Sequence, residues 1–420
     1  MKNVVILGSG TAGTMMANRL GKRATAGDLH ITIVDQDRRH YYQPGFLFIP
    51  FGIYSERDVI QPKRRFIPNG VEYIEAEIDR IEPDHNRILL PGNGALSYDI
   101  LIIATGAKIA PEQTEGMTGP DWRKHVFDFY TLEGALALQA ALHNWKGGRL
   151  VVHVCEMPIK CPVAPLEFVF LADWWLSRQG LRDKTDLVYV TPLSGAFTKP
   201  IASRVLGHLL KEKRISVVTD FSVGGLDNEQ HKIISWDEKE IGYDLLATVP
   251  PNMGDAAMER SGLGDELNFV ATDSHTLQSR QHENVFVIGD ATDLPTSKAG
   301  SVAHFESETL TENILHYIKG EPLGAEFDGH ANCFIESGYS KGVLLDFNYE
   351  LEPVEGTYPF PIFGPFSLLR ETGMNHWGKL AFKWIYWNAL LKALPLPAIS
   401  GHMSRAGKQI PPEALKTQAA

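Results

Sequence analysis

The chain has 420 residues, of which 44% are hydrophobic, and a formal net charge of −11. The length is sufficient for two or three domains with their own cores, and the acidic balance argues against nucleic-acid binding, because phosphate recognition needs a basic surface. Three cysteines, Cys155, Cys161 and Cys333, are too few for a secreted disulfide scaffold. We therefore expect any functional cysteine pair to be catalytic rather than structural.

The chain opens with a strand, a glycine-rich turn, a helix and a second strand. The first strand is predicted at residues 4–7, and the turn reads Gly8-x-Gly10-x-x-Gly13. In such a turn the first glycine permits the tight bend, the second lets the backbone approach a pyrophosphate, and the third lets helix and strand pack closely. Asp35 ends the second strand, where a carboxylate can bind ribose hydroxyls. The pattern predicts dinucleotide binding.

Two later apolar strands end in further short motifs. One strand ends in Thr105-Gly106 and the other in Gly289-Asp290, and a helical run follows Gly300. Together with the first turn, these motifs resemble those of the two-dinucleotide-binding-domain flavoproteins. The resemblance implies bound FAD, with Asp290 at the ribityl chain. It also implies a helix after Gly300 whose positive N-terminus faces the flavin and stabilises negative charge there.

A second strand–helix–strand unit is predicted at residues 149–154, 166–178 and 186–190. The loop at 154–162, where relatives carry a second glycine-rich turn, contains no glycine and two prolines. Proline lacks the amide donor that a pyrophosphate would need. We therefore expect no nicotinamide dinucleotide in the second half.

That same loop contains a cysteine in a characteristic sequence context. Cys161 is followed six residues later by Glu167, and Cys333 lies in the segment after the flavin helix. This arrangement resembles the sulfide:quinone oxidoreductases and the related flavoprotein subunit of flavocytochrome c sulfide dehydrogenase. The resemblance implies that Cys161 and Cys333 form a redox pair near the flavin and that Glu167 transfers protons. Cys155 ends an apolar strand and is expected in the core.

The chemistry of sulfide agrees with that resemblance. Sulfide can attack a disulfide by thiol–disulfide exchange, and the attacking or leaving thiolate benefits from a nearby acid or base. In the implied sequence of steps sulfide attacks the Cys161–Cys333 bridge, Cys333 delivers electrons to the flavin, and a membrane quinone re-oxidises it.

Segments 41–46 and 125–131 lack the cysteines that some relatives carry there. We therefore expect the FAD to be non-covalent. No Cys-x-x-Cys-His haem motif is present, and no metal ligands are expected.

The C-terminal stretch differs in character from the rest. Between residues 372 and 412 there are five Lys or Arg and no Asp or Glu. Apolar residues recur at helical spacing, at Trp377, Leu380, Ala381, Trp384, Trp387 and Leu391, while Lys379 and Lys383 lie on another face. An aromatic and basic helix of this kind favours an anionic lipid surface. The alternatives are a helix that closes the core and a dimer face.

The resemblance also suggests residues for the quinone and membrane region: Phe347, Phe363, Lys379, Trp377 and Trp384. Neither a signal peptide nor an apolar run long enough to span a bilayer is indicated, so we expect peripheral, monotopic attachment to the cytoplasmic membrane. Because the basic aromatic stretch follows Cys333, cysteine chemistry and membrane attachment are expected to be separable along the chain.

The predicted fold class is α/β, with two Rossmann-like dinucleotide-binding domains and a C-terminal amphipathic helical membrane and quinone region. The FAD domain is expected to be discontinuous, from residues 1–115 and 265–325. Residues 116–264 would form the second Rossmann-like domain with Cys161, and residues 326–420 the C-terminal region.

The predicted function is FAD-dependent oxidation of sulfide to sulfur or polysulfide, with electrons passed to a membrane quinone. Sulfide, quinone and anionic lipid are the expected partners, nucleic acid is not, and a homo-oligomer is left open. Three alternatives remain: a sulfide dehydrogenase flavoprotein subunit that reduces a cytochrome, a type II NADH:quinone reductase, which the glycine-free loop disfavours, and a non-enzymatic flavin redox sensor.

Overall fold

The computed structural model describes residues 1–23, 29–92, 94–396 and 399–415. Five parallel strands form the N-terminal sheet, in the spatial order Val285–Val287, Ile100–Ile103, Lys2–Leu7, Leu29–Asp35 and Glu72–Glu75. Ile100–Ile103 is buried along its whole length, as expected for a parallel sheet covered on both faces. Helices Thr11–Arg23 and Gly300–Lys319 pack against each other beside this sheet.

A second group of five parallel strands forms the middle sheet. Its spatial order is Val126–Phe127, Leu245–Val249, Gly148–Val154, Thr185–Val190 and Ser216–Val218. Its helices are Leu132–His143, Ala164–Arg178 and Pro200–Glu212. The α/β class with Rossmann-like sheets is thus confirmed, and the predicted helix at 166–178 begins two residues earlier, at Ala164.

The C-terminal part begins with a four-stranded sheet. Its strands follow the spatial order Ala331–Gly338, Lys341–Phe347, Phe366–Leu368 and Gly356–Tyr358. Helix Gly373–Ile385 follows and continues into a π-helical turn, Tyr386–Leu390. The helix packs closely on the sheet at Gly378, where a Cβ atom would lie 2.7 Å from ring atoms of both Phe334 and Phe366.

Shorter elements connect these layers. Two short helices span Glu56–Val59 and Ala256–Arg260, and two strand pairs join Arg39–Tyr41 with Ile60–Pro62 and Ala107–Ile109 with Asn252–Gly254. One three-stranded antiparallel sheet consists of Arg80–Glu82, Arg87–Leu90 and Gly94–Ser97. The other consists of Val223–Asp227, Lys232–Ser235 and Glu240–Gly242.

The aromatic stripe predicted for the C-terminal helix is divided between two environments. The side chains of Trp377 and Trp384 are 65% and 67% exposed, whereas Trp387 is 6% exposed. Trp387 stacks on Phe66 with ring centroids 5.3 Å apart. One part of the stripe therefore closes the core, and the other faces outward. No helix in the described part of the chain is both long enough and apolar enough to cross a bilayer.

Candidate active site

A cavity lies at the carboxyl ends of the strands of the N-terminal sheet, where open α/β sheets generally bind ligands. Its wall includes eight of the residues that the sequence motifs predict for a cofactor: Gly8, Gly10, Asp35, Thr105, Gly106, Gly289, Asp290 and Gly300. Gly13 is not on the wall. A Cβ atom at Gly13 would collide with the carbonyl of Gly8, so this glycine serves the packing of helix on strand.

The glycine turn and its neighbours have the shape and polarity that a dinucleotide requires. Gly8 has a φ of +94°, and a Cβ atom there would lie 2.5 Å from the carbonyl oxygen of Ala104. By contrast, a Cβ built on Gly10 would have no atom of the described residues within 4 Å other than those of Gly10 and its chain neighbours, so the backbone is open to a ligand at this point. Thr105 has a buried hydroxyl without a hydrogen-bond partner among the described residues. These features fit bound FAD.

Asp35 is held in place by a cation that the sequence motifs do not indicate. One carboxylate oxygen accepts hydrogen bonds from the amide of Ser9 at 2.6 Å and from its hydroxyl at 3.1 Å. The other lies 2.6 Å from the ammonium of Lys63, which is also buried and also lines the cavity. The carboxylate predicted to bind a ribose is therefore oriented by Ser9 and Lys63.

Cys161 lies on the wall of the same cavity, at the start of helix Ala164–Arg178. It has a φ of 45°, and its amide donates to the carbonyl of Lys298 at 2.7 Å. Its own carbonyl accepts from the amide of Ala164 at 2.8 Å. Burial raises the pKa of the Cys161 thiol to about 12, the charge of Glu167 adds to this shift, and Lys379 opposes it.

Cys333 lies in strand Ala331–Gly338 and is not among the residues on the cavity wall. Both Cys161 and Cys333 are free thiols in the structure. Burial raises the pKa of Cys333, and the charge of Cys161 is the next largest cause. The charge of Cys161 therefore acts on Cys333, and of the two residues Cys161 is the one that lines the cofactor cavity.

Cys155 is separate from this pair. It is 3% exposed and belongs to a core cluster on the middle sheet. Its sulfur lies 3.5 Å from the hydroxyl of Thr248. Its buried position agrees with the expectation from the sequence.

Glu167 and Lys379 form a buried ion pair. The ammonium of Lys379 lies 2.7 Å from Glu167 Oε1 and donates to the carbonyl of Phe334 at 3.0 Å. The amide of Glu336 also donates to Glu167 Oε1, at 2.8 Å, whereas Glu167 Oε2 is buried without a partner among the described residues. Burial raises the pKa of Glu167 against the opposing effect of Lys379. Burial favours the neutral form of Lys379 and would lower its pKa. The negative charges of Glu167 and Cys161 outweigh the effect of burial, so the pKa of this lysine is raised.

The expectation that Lys379 belongs to an exposed basic face is wrong. Lys379 is only 8% exposed, because its side chain turns inward to Glu167. Lys383, the second basic residue of that predicted face, pairs with Asp58 at 3.0 Å and lies over the ring of Tyr54. Neither ammonium is a free surface charge.

The C-terminal helix and turn also reach the cofactor cavity. The hydroxyl of Tyr386 lines it and lies 2.7 Å from both Thr11 Oγ1 and His40 Nε2. On the same helix, His376 Nδ1 lies 2.7 Å from the buried carboxylate of Glu336. The expectation that the cysteine site and the C-terminal stretch are separable is therefore wrong. Sequence reasoning missed Tyr386, Glu336 and His376, because their partners lie far away along the chain and leave no local signal.

The residues predicted for the quinone and membrane region do not share one environment. Phe347 is 4% exposed and belongs to the main core. Phe363 is 87% exposed and lies between strands Gly356–Tyr358 and Phe366–Leu368. Trp377 and Trp384 are exposed on the helix, and Lys379 is buried.

Comparison with known proteins agrees with this architecture. Residues 2–153 match the family model described as pyridine nucleotide-disulphide oxidoreductase. The mitochondrial sulfide:quinone oxidoreductase of Dictyostelium discoideum is 28% identical over 402 residues, which cover 93% of this chain and 87% of that protein. The mitochondrial sulfide:quinone oxidoreductase of Mus musculus is 28% identical over 373 residues, covering 85% and 80% of the two chains.

A solved structure shows the same fold. The X-ray structure of the sulfide:quinone oxidoreductase from the hyperthermophilic bacterium Aquifex aeolicus matches with a TM-score of 0.76 and 21% identity, covering 92% of each chain. These matches cover 85–93% of the chain, well beyond the dinucleotide-binding turn that many flavoproteins share. The resemblance inferred from the motifs is confirmed: over most of its length the chain is similar to sulfide:quinone oxidoreductases.

Proposed function

We propose that this chain oxidises sulfide to sulfur or polysulfide through Cys161 and Cys333, with bound FAD and a membrane quinone as electron acceptor. One observation carries the proposal. Cys161, Glu167 and Lys379 line the same cavity as the glycine turn at Gly8 and Gly10. A thiol, a proton-transfer group and a cation therefore lie beside the place where a flavin dinucleotide fits. The similarity to sulfide:quinone oxidoreductases supports sulfide as the electron donor and quinone as the electron acceptor.

The residues that would hold FAD are Gly10 with its open backbone, Thr105, whose hydroxyl has no partner within the described ranges, Asp290, and Gly300 at a helix N-terminus. When bound, FAD supplies a two-electron acceptor for the sulfide sulfur and a two-electron donor for quinone. Segments 41–46 and 125–131 contain no cysteine to attach it, so we propose non-covalent binding.

The position of Cys161 on the cavity wall supports a particular order of events at the two sulfurs. With the pair oxidised, HS⁻ attacks Sγ of Cys333, the Cys161–Cys333 bond breaks, and a persulfide forms on Cys333. Cys161 leaves as a thiolate that faces the cavity. This order differs from the expectation from the sequence, in which Cys333 delivers electrons to the flavin.

Lys379 and Glu167 serve the charge and the proton of this step. Burial raises the pKa of both thiols, and the ammonium of Lys379 opposes this rise, so it stabilises the released thiolate. Glu167 Oε2 is buried and has no hydrogen-bond partner among the described residues. Burial also raises the pKa of the Glu167 carboxyl group, which suits it to accept the persulfide proton. A carboxylate with a raised pKa can exchange protons nearer neutral pH than an exposed one.

The exposed apolar residues of the C-terminal part support contact with a membrane surface. Among them are Phe360, Ile362, Phe363, Met374, Trp377 and Trp384. Because Lys379 is buried and Lys383 is paired, we propose attachment by insertion of these apolar side chains rather than by basic charge. Helix Gly373–Ile385 presents some of these residues and also contributes Lys379 to the site, so the quinone would approach the cavity from this side.

The choice of reductant tests the proposed function. The FAD-loaded protein is mixed anaerobically with sulfide or with NADH, and the flavin absorbance is followed. We expect bleaching by sulfide and none by micromolar NADH, because the amides of Lys160 and Cys161 already donate to Asn252 Oδ1 and to the carbonyl of Lys298. Dithionite is the control for a reducible flavin. Rapid bleaching by NADH would contradict the proposal.

The three cysteines provide a matched set of variants. We expect Cys161→Ser and Cys333→Ser each to abolish sulfide-dependent quinone reduction while the flavin absorbance of the purified protein is retained. Cys155→Ser should keep most activity and lose about 1–3 kcal/mol of stability, because the hydroxyl of the introduced serine would be buried and only weakly hydrogen-bonded. An active Cys161→Ser variant, or a Cys155→Ser variant that folds but is inactive, would show that the pair is misassigned.

Membrane attachment is tested by sedimentation with anionic vesicles. Full burial of an aromatic side chain contributes about 1.5–3 kcal/mol, so the double variant Phe363→Ser, Trp384→Ser should bind at least about tenfold more weakly. Trp236→Ser is the matched control, because Trp236 is 78% exposed but lies in the hairpin region of residues 232–242. Lys383→Gln should have little effect. A strong loss with Lys383→Gln and none with the double variant would favour an electrostatic anchor instead.

A further inference from the structure

Three side chains outside the cofactor cavity form a compact cluster of potential metal ligands. Asp121, His125 and His231 each offer one ligand atom, and these atoms all lie within 4.8 Å of one another. None of the three lines the cavity that contains Cys161. Motif spacing does not predict this cluster, because His231 is 110 residues from Asp121.

The fold brings these residues together through two turns. The carbonyl of Asp121 accepts hydrogen bonds from the amides of Lys124, His125 and Val126, which places Asp121 and His125 on one tight turn. His231 immediately precedes strand Lys232–Ser235 and has a φ of 51°.

A hydrogen bond fixes the two turns relative to each other. The side-chain oxygen of Asn228 accepts from the amide of Asp121 at 3.1 Å. The three ligand side chains are therefore positioned by backbone and amide contacts as well as by contact with one another.

Neighbouring groups orient the ligand atoms as they do in metal sites. His125 Nδ1 lies 3.2 Å from the carbonyl oxygen of Asp244, so Nδ1 is the donor and Nε2 keeps a free lone pair. The hydroxyl of Tyr243 donates to Asp121 Oδ2 at 3.3 Å. In metal sites a ligating histidine typically donates its other N–H to a carbonyl, and a ligating carboxylate typically accepts a hydrogen bond from a neighbouring group.

The burial of the three residues leaves the cluster open to solvent on one side. Asp121 is 5% exposed, whereas the side chain of His231 is 39% exposed and His125 is exposed. A hydrated ion can therefore reach the imidazoles first and the carboxylate behind them. Asp121 Oδ2 and His231 Nδ1 lie 2.6 Å apart, and an ion would replace the proton that they share.

We propose that Asp121, His125 and His231 bind a divalent transition-metal ion of the zinc class, with water completing the coordination. Two imidazoles and one carboxylate are a ligand set that zinc accepts. Magnesium and calcium prefer oxygen ligands throughout and are poorly matched. The ion would join the turn at 121–125 to the hairpins at 223–242 and stabilise the folded chain by its binding free energy.

The test uses the FAD-loaded protein without a histidine tag, after treatment with a chelator. Titration with Zn²⁺ in a calorimeter should show one ion per chain with a Kd below about 10 μM, and Co²⁺ should give ligand-field absorption bands of a site with fewer than six ligands. His125→Ala and His231→Ala should each weaken Zn²⁺ binding at least about 100-fold, since each removes a ligand. His143→Ala removes an exposed histidine elsewhere and should bind Zn²⁺ as the parent does.

Two outcomes would overturn the proposal. Zn²⁺ binding that survives both His125→Ala and His231→Ala would place the ion elsewhere, and absence of binding in the parent would leave the cluster as a hydrogen-bonded histidine and carboxylate. Equal urea midpoints of parent and variants without Zn²⁺ would show that the variants fold. The readout is metal binding, so it is independent of the sulfide and quinone activity.

Discussion

Helix Ala164–Arg178, strand Ala331–Gly338 and helix Gly373–Ile385 meet at one buried ion pair, between Glu167 and Lys379. The ammonium also binds a carbonyl of the strand, and the carboxylate binds an amide of the same strand. Removal of one member of a buried pair leaves an uncompensated charge and typically costs about 3–5 kcal/mol. The pair therefore fixes the C-terminal helix against the segment that carries Cys161, and with it the geometry of the site.

The same pair determines the electrostatic environment of the two thiols. Burial alone keeps Cys161 and Cys333 protonated, the charge of Glu167 adds to this effect, and Lys379 opposes it. Proton movement at Glu167 would therefore change the charge of the sulfurs beside it. Because Lys379 comes from the helix that carries exposed Trp377 and Trp384, the cysteine chemistry and the proposed membrane surface depend on one structural element.

The parts of the site that sequence reasoning predicted are encoded locally. Gly8, Gly10 and Gly300 lie at junctions of strand and helix, and Cys161 and Glu167 lie within two turns of the same helix start, so short spacings suffice. The inward position of Lys379 could not be predicted in this way. Helical periodicity places Lys379 beside Lys383, but burial is decided by Glu167, which is far away in the sequence. The π-helical turn after Ile385 similarly shifts Trp387 into the core, away from the face of Trp377 and Trp384.

The most direct test of the central claim is the pH dependence of alkylation at Cys161 in the reduced, FAD-loaded protein, followed by mass spectrometry of the peptide that contains it. If the ion pair controls the thiol, Glu167→Gln removes the negative charge and lowers the apparent pKa of Cys161, so alkylation begins at lower pH than in the parent. Lys379→Met removes the positive charge and should not lower that pKa. An unchanged or raised pKa in Glu167→Gln, or a lowered pKa in both variants, would contradict the account.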